Sequence, residues 1–324
     1  MARDIPADGG CVAVRVPAKV NLFLAVRGLR ADSYHELVTV LQTVSIYDHV
    51  RVGLAGPPGR GHHPAARRRM GLELRTSAAD TLPPAEHNLA VRAARTLGAA
   101  VGVTDAAVTG ESNELRTVIE LDKRIPIAGG MAGGSADAAA ALVGLNELWS
   151  CELDRERLRV LAAKLGSDVP FCVTGGTALA TGRGAAVAQV LCRGTFHWVV
   201  CASAESLQTA AVYAAWDSYS EPSEIEPDAV LAALRTCDPE ALGAALHNDL
   251  EQPAFRLRPE LADGKAALLA AGALGAVLSG SGPTLLGLAA SQSDAQRLAE
   301  RVEHRFAATI VATSPAGGPE TRPC

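Results

Sequence analysis

Aromatic residues are scarce in this sequence: only 4% of its 324 positions are Phe, Trp or Tyr. Any sizeable core must therefore be aliphatic, and a hydrophobic content of 48% is enough to fill two domains. An excess of basic residues is also lacking, since the formal net charge is −5. That argues against a nucleic-acid partner, which requires a strongly basic face. The seven cysteines, Cys11, Cys151, Cys172, Cys192, Cys201, Cys237 and Cys324, are odd in number, widely spaced and without a C-x-x-C pair. A disulfide framework or a zinc cluster is not expected from them, and they read as reduced thiols. No apolar run approaches the ~18 residues of a membrane span. The opening MARDIPADGG lacks the apolar stretch of a secretory signal. The expectation is a cytoplasmic protein with no membrane and no nucleic-acid partner.

What is present alternates between strand and helix patterns. CVAVRVPAKVNLFLAV, Cys11 to Val26, reads as a pair of strands around Pro17. Its alternation sets Lys19 and Asn21 on one face, opposite Val20, Leu22 and Leu24. HELVTVLQTVSIYDHVRVGL reads as another strand. Ala55 to Gly71 is rich in Gly, Pro and Arg without periodicity and reads as a surface loop. Asn88, Asp154 and Asp238 stand where helix caps are expected, and Ser291 with Asp294 has capping-box spacing. A helix is expected from Ser135, and SPAGGPETRPC reads as a disordered tail. The fold class is α+β, in two halves.

The stretch IPIAGGMAGGSADAAAAL, Ile125 to Leu142, joins residues of opposite helix propensity. A strand leading through glycines into a helix start is a shape suited to phosphate. The first helical N–H groups lack partners, and the helix dipole favours an anion there. Gly129, Gly130, Gly133, Gly134 and Ser135 are the candidate donors or their supports. A tight turn packed around small residues fits the same stretch. The G-x-x-x-x-G-K-[ST] and G-x-G-x-x-G cradles are both absent.

Three segments in order, Pro17–Leu37, Pro126–Ala139 and Ala276–Leu288, resemble the motifs of the galactokinase, homoserine kinase, mevalonate kinase and phosphomevalonate kinase superfamily. K-V-N-L at Lys19, D-S-Y-H-E-L at Asp32 and L-G-S-D-V-P-F at Leu165 draw the resemblance toward its members acting on a cytidine diphosphate-linked methylerythritol. Where that family often has G-G-G-L-G-G-G, this chain has A-G-G-M-A-G-G, so Ala128, Met131 and Ala132 depart from the pattern.

The resemblance implies a two-domain small-molecule kinase fold. Residues 1–190 would form a ribosomal-protein-S5-like nucleotide and catalytic domain. Residues 191–324 would form a ferredoxin-like substrate-side domain, with 313–324 as the tail. It implies an ATP-dependent transfer to the 2-hydroxyl of the methylerythritol, in isoprenoid precursor synthesis by the non-mevalonate route. From spacing alone Asp168 fits a turn or cap, and Lys19 fits a solvated strand lysine. The resemblance makes Asp168 the general base and Lys19 its charged neighbour. It places ATP on Pro126, Ile127, Ala128, Gly129, Gly130, Met131, Ala132, Gly133, Gly134, Ser135 and Ala136, with Asn88 and Leu89 beside the adenine. Mg²⁺ would arrive with ATP, and Ser135 is its candidate protein ligand. Asn21, Tyr34, His35, Thr209 and Tyr213 would bind the acceptor. The expected assembly is a monomer or a homodimer. Two rivals remain: another kinase of the superfamily, disfavoured by Tyr34–His35 and Thr209–Tyr213, and a nucleotide-binding sensor, disfavoured by intact Lys19 and Asp168.

Overall fold

The computed structural model describes residues 10–55, 69–76, 82–105, 116–127 and 129–324. In chain order the strands are β1 (Cys11–Leu29), β2 (His35–Ala55), β3 (Arg69–Thr76), β4 (Thr104–Asp105), β5 (Arg116–Asp122), β6 (Thr177–Gly182), β7 (Ala186–Gln189), β8 (Phe196–Ala202), β9 (His247–Asn248), β10 (Gly275–Leu278), β11 (Leu285–Ala289), β12 (Ala308–Ser314) and β13 (Glu320–Pro323). The helices are α1 (Leu89–Val101), α2 (Gly133–Leu148), α3 (Arg155–Ala162), α4 (Val169–Thr174), α5 (Thr209–Tyr219), α6 (Asp228–Thr236), α7 (Pro239–Ala245), α8 (Glu251–Leu257), α9 (Glu260–Ala270) and α10 (Gln292–Val302). Most of the predicted Ala55–Gly71 loop lies outside the described residues. Its ends belong to β2 and β3.

Two sheets organise the chain. The larger runs β13-β1-β2-β5-β3-β4, with β6 on β2, β7 on β6 and β9 on β1. The smaller is antiparallel, in the order β10-β11-β8-β12. The spine is the antiparallel pair β1–β2, in register from Cys11↔Gly53 to Leu29↔His35. The expected break at Pro17 is not there. β1 is one 19-residue strand that shifts register between Pro17 and Ala18. Proline removes one ladder donor, and a bulge absorbs the loss without ending the strand.

The expected polar face of β1 is also corrected, because Lys19 and Asn21 are buried along with Val20, Leu22 and Leu24. Alternation distinguishes faces only when one face meets water, and here both are covered. The apolar side of α2 packs on β1 and β2: a Cβ added at Gly144 would stand 2.9 Å from Val14 and 3.0 Å from Val52. The short strand β9 pairs with Phe23 and Leu24. Behind the smaller sheet, Leu261 and Leu268 of α9 and Leu298 and Val302 of α10 share a core with Val199, Cys201 and Leu285.

The expected disordered tail is ordered. Ser314 ends β12, and β13 pairs with β1 from Val12↔Pro323 to Arg15↔Glu320. Arg15 reaches Glu320 at 2.8 Å. Composition marked this segment as unstructured because it is rich in Gly and Pro. Those glycines fit a tight crossing, where a side chain on Gly175 would strike the backbone of Gly317 and Gly318. The expectation of seven reduced thiols is likewise overturned. Cys11 and Cys324 form a disulfide with a Cα separation of 5.4 Å, while Cys151, Cys172, Cys192, Cys201 and Cys237 are free. Wide separation in sequence hid a pair that strand pairing brings together.

Candidate active site

The first motif runs along β1 and through its turn into β2, the second opens α2, and the third forms β10, its turn and β11. Backbone contacts bring them together. The amide of Lys19 donates to the carbonyl of Met131 at 3.2 Å, and the Ser279 hydroxyl donates to the carbonyl of Gly130 at 3.2 Å. Asn248 donates to the carbonyls of Leu278 and Gly280, each at 2.7 Å, tying the third motif to β9. Gly130 has φ +71°, and a Cβ on it would strike the carbonyls of Ser279 and Gly282. This glycine serves the junction of two motifs. Asn248, Ser279 and the junction they make have no local sequence signal.

Helix α2 begins two residues before the predicted Ser135, at Gly133. Ala132 is its N-cap in the left-handed region (φ 55°), and no side chain caps the helix. Its first N–H groups are thus left for a ligand, and no acidic side chain stands in the first turn to repel an anion. Gly129, Gly130, Ala132, Gly133 and Gly134 line a cleft of about 1010 Å³, with Pro126 and Ile127 at its edge. Met131 and Ala136 are buried in the core, and with Ser135 they stand outside the lining. Ala128 lies outside the described residues. Asn88 and Leu89 line the same cleft. The Asn88 side chain also caps α1, accepting from the amide of Ala90 at 2.9 Å.

Asp168 precedes α4 but makes no capping bond. Its carboxylate instead faces the Lys19 ammonium at 3.5 Å. Lys19 donates to Asn21 at 2.8 Å, Asn21 donates to the Thr39 hydroxyl at 2.9 Å, and Thr39 donates to the carbonyl of Phe23 at 2.6 Å. The lysine is fixed while Asp168 stays partly open to the cleft, with its side chain 34% exposed. Burial first, and then the charge of Asp168, pushes the Tyr213 phenol well above its usual range.

The other half of the chain supplies the far wall. Thr209 opens α5 and shares a hydrogen bond with Ser281 of the third motif at 2.9 Å. Tyr213 stacks on His35, with ring centroids 4.6 Å apart and planes at 26°. His35 meets Asp217 at 2.7 Å and the edge of Trp216 at 5.4 Å. Tyr34 is exposed, and the Arg183 guanidinium lies 3.7 Å over its ring centroid.

Sequence reasoning missed a charged cluster at the cleft floor, where Lys123 and Asp137 line it. Lys123 is shared by Asp48 and Asp137, all three with buried side chains. Asp48 also accepts from the amides of Arg124 (2.6 Å) and Ile125 (2.9 Å), whereas Asp137 has one oxygen with no partner. Burial pushes the Asp137 carboxyl up to about 7, against the pull of the Lys123 charge. Burial disfavours the charge of Lys123 too, but the two carboxylates outweigh it and hold the ammonium above its usual range. An aspartate inside the alanine run of α2 was the available signal. Its partners, 14 positions away in Lys123 and further still in Asp48, were not legible.

Comparison with known proteins agrees with this geometry. The model of the GHMP kinases N terminal domain matches residues 88–176, and that of the GHMP kinases C terminal domain matches 230–308. The chain is 47% identical over 291 residues to the 4-diphosphocytidyl-2-C-methyl-D-erythritol kinase of Mycobacterium tuberculosis, covering 88% of this chain and 84% of that one. It is 46% identical over 298 residues to the kinase of the same name from Salinispora tropica, covering 90% and 87%. A crystal structure of 4-(cytidine 5'-diphospho)-2C-methyl-D-erythritol kinase superposes with a TM-score of 0.74 at 33% identity, covering 94% of this chain and all of that one. A homoserine kinase from Cytophaga hutchinsonii shares the fold, with a TM-score of 0.70 at 21% identity over 97% and 98% of the two chains.

Proposed function

The chain belongs to the GHMP kinases and, within them, to the 4-diphosphocytidyl-2-C-methyl-D-erythritol kinases, and from that premise we propose how its cleft divides the work of the reaction. The enzyme transfers a phosphoryl group from ATP to an alcohol, the 2-hydroxyl of the cytidine diphosphate-linked methylerythritol, in isoprenoid precursor synthesis. The observation that supports our assignment of roles is the Lys19–Asp168 pair beside the uncapped start of α2. Phosphoryl transfer needs mainly positioning and charge neutralisation, and both are available there.

ATP phosphates lie against the amides of Gly133, Gly134 and Ser135, with the adenine toward Asn88 and Leu89. Asp168 takes the proton of the attacking hydroxyl. Lys19 keeps the carboxylate ionised and offsets charge on the transferring group. Asn21 holds Lys19 in place and borders the methylerythritol. Mg²⁺ fits the donors at hand: Asp137 lines the cleft and has an oxygen without a partner, and the Ser135 hydroxyl, just outside the lining at the same helix start, would be a second hard ligand. The ion would come with the nucleotide, keeping several of its waters. Bound there, it neutralises phosphate charge.

Tyr34, His35, Thr209 and Tyr213 read the cytidine. The nucleotide machinery falls in residues 1–190 and the far wall in 191–324. No described helix is long and apolar enough to cross a membrane, and we place the reaction in the cytoplasm. The test is a coupled assay with ATP across a panel of alcohols. Turnover of the cytidine diphosphate-linked methylerythritol well above homoserine and mevalonate is expected, and equal turnover of all three would refute the assignment.

A further inference from the structure

Arg183 sits in the turn between β6 and β7. Its neighbour Gly184 backs onto the residue before Asp168: a Cβ added there would stand 4.0 Å from the Ser167 side chain. The turn therefore borders the proposed base. From it the Arg183 side chain reaches Tyr34, which it covers at 3.7 Å. Arg183, Asp168 and Tyr34 all line the same cleft.

The lysines of that cleft already have partners. Lys19 faces Asp168, and Lys123 is shared by Asp48 and Asp137. Among the described residues Arg183 has no carboxylate within the 4.0 Å of an ion pair. Asp32 feels its charge, but from beyond that distance and with Arg30 as its own partner. A guanidinium thus covers Tyr34 from a turn that borders the base, lines the cleft and has no ion-pair partner among the described residues.

The acceptor is linear. Its cytosine is at one end, its reacting hydroxyl near the other, and a diphosphate with two negative charges lies between. If the cytosine meets Tyr34 and His35 while the hydroxyl meets Asp168, the diphosphate spans the part of the cleft between them, which Arg183 lines beside Tyr34. We propose that Arg183 is a specificity-determining residue that binds the diphosphate of the acceptor, its stack on Tyr34 holding the guanidinium ready. A planar fork suits two phosphate oxygens at once, and stacking on an aromatic ring limits the freedom lost on binding. The inference rests on the functional reading above and adds a residue that the three motifs do not contain.

The test is Arg183→Met, which keeps a flexible apolar stem over Tyr34 and removes charge and fork. Dissociation constants of CDP and of cytidine are measured by calorimetry with ADP saturating the nucleotide side, alongside the KM for acceptor and for ATP. Wild type is expected to bind CDP more tightly than cytidine. In the variant CDP affinity falls and acceptor KM rises, each about tenfold or more, as for loss of a charge-assisted hydrogen bond. Cytidine affinity and ATP KM stay put, and Arg183→Lys recovers part of the loss. An equal loss for CDP and cytidine would reduce Arg183 to packing on Tyr34. A raised ATP KM with unmoved acceptor KM would place it on the donor side. Unchanged CDP binding would also overturn the inference. A wild-type enzyme that fails to phosphorylate the acceptor overturns the functional reading itself, so the two failures are distinct.

Discussion

Lys19 and Asp168 face each other at 3.5 Å, one side chain buried and the other partly open. The lysine is fixed by Asn21 and Thr39, while the carboxylate keeps an open side toward the cleft. Asp168→Asn keeps the shape but cannot accept a proton. A loss of turnover of about 10²–10⁴-fold is expected, with ATP affinity retained in a binding assay. Near-normal turnover would remove Asp168 from the base role. Asp137 allows a second test, of stability in the nucleotide-free protein. Burial raises its carboxyl from an ordinary value of 3.8 to about 7. A raised acid holds its proton more tightly when folded, so its stabilising contribution is full below about pH 4 and is lost as pH rises through about 7. Asp137→Asn has no such loss. Its Tm relative to wild type should therefore climb between pH 5 and pH 8, and a constant offset across that range would contradict the assignment.

At the scale of elements, the glycines of the second motif divide into two jobs. Gly130 lies at positive φ against the carbonyls of the third motif, whereas Gly134 is inside the first turn of α2 and has room for a Cβ, 3.6 Å from Leu89. Gly130→Ala is expected to lose stability, since a left-handed non-glycine residue costs about 1–3 kcal/mol before any clash is counted. Gly134→Val should instead keep its melting temperature near that of wild type and lose ATP affinity by calorimetry. The reverse pattern would exchange their roles. The helix start in this motif was legible in the sequence because it is a local event. Asn88, Asp154 and Asp238 were legible as caps for the same reason, each accepting from an amide two or three residues on. What it could not disclose was the contact of Gly130 with Ser279, which depends on two distant segments meeting.

At the scale of the molecule, the cleft is built from both halves of the chain, with Tyr34 and His35 near β2 and Tyr213 on α5. Tyr213→Ala is expected to raise the acceptor KM about tenfold or more, since stacking of a base is worth roughly 1–3 kcal/mol. The ATP KM should barely move, and a raised ATP KM with unmoved acceptor KM would place Tyr213 on the donor side. Tyr34 and His35 were singled out by their motif, and both line the cleft. Their partners Arg183 and Asp217 were not, because a lone arginine in a turn and an aspartate on a helix carry no pattern of their own.

The pairing of β13 with β1 has a further consequence. Cys11 and Cys324 stand with Cα atoms 5.4 Å apart, so their disulfide closes residues 11–324 into a covalent ring. Joining residue 324 to residue 11 through a short linker and reopening the ring at the half-exposed connection between β7 and β8 would put the far wall of the cleft first in the chain and its floor last. Every strand partner would be unchanged. The order in which the two walls are synthesised is therefore separable from the shape they make.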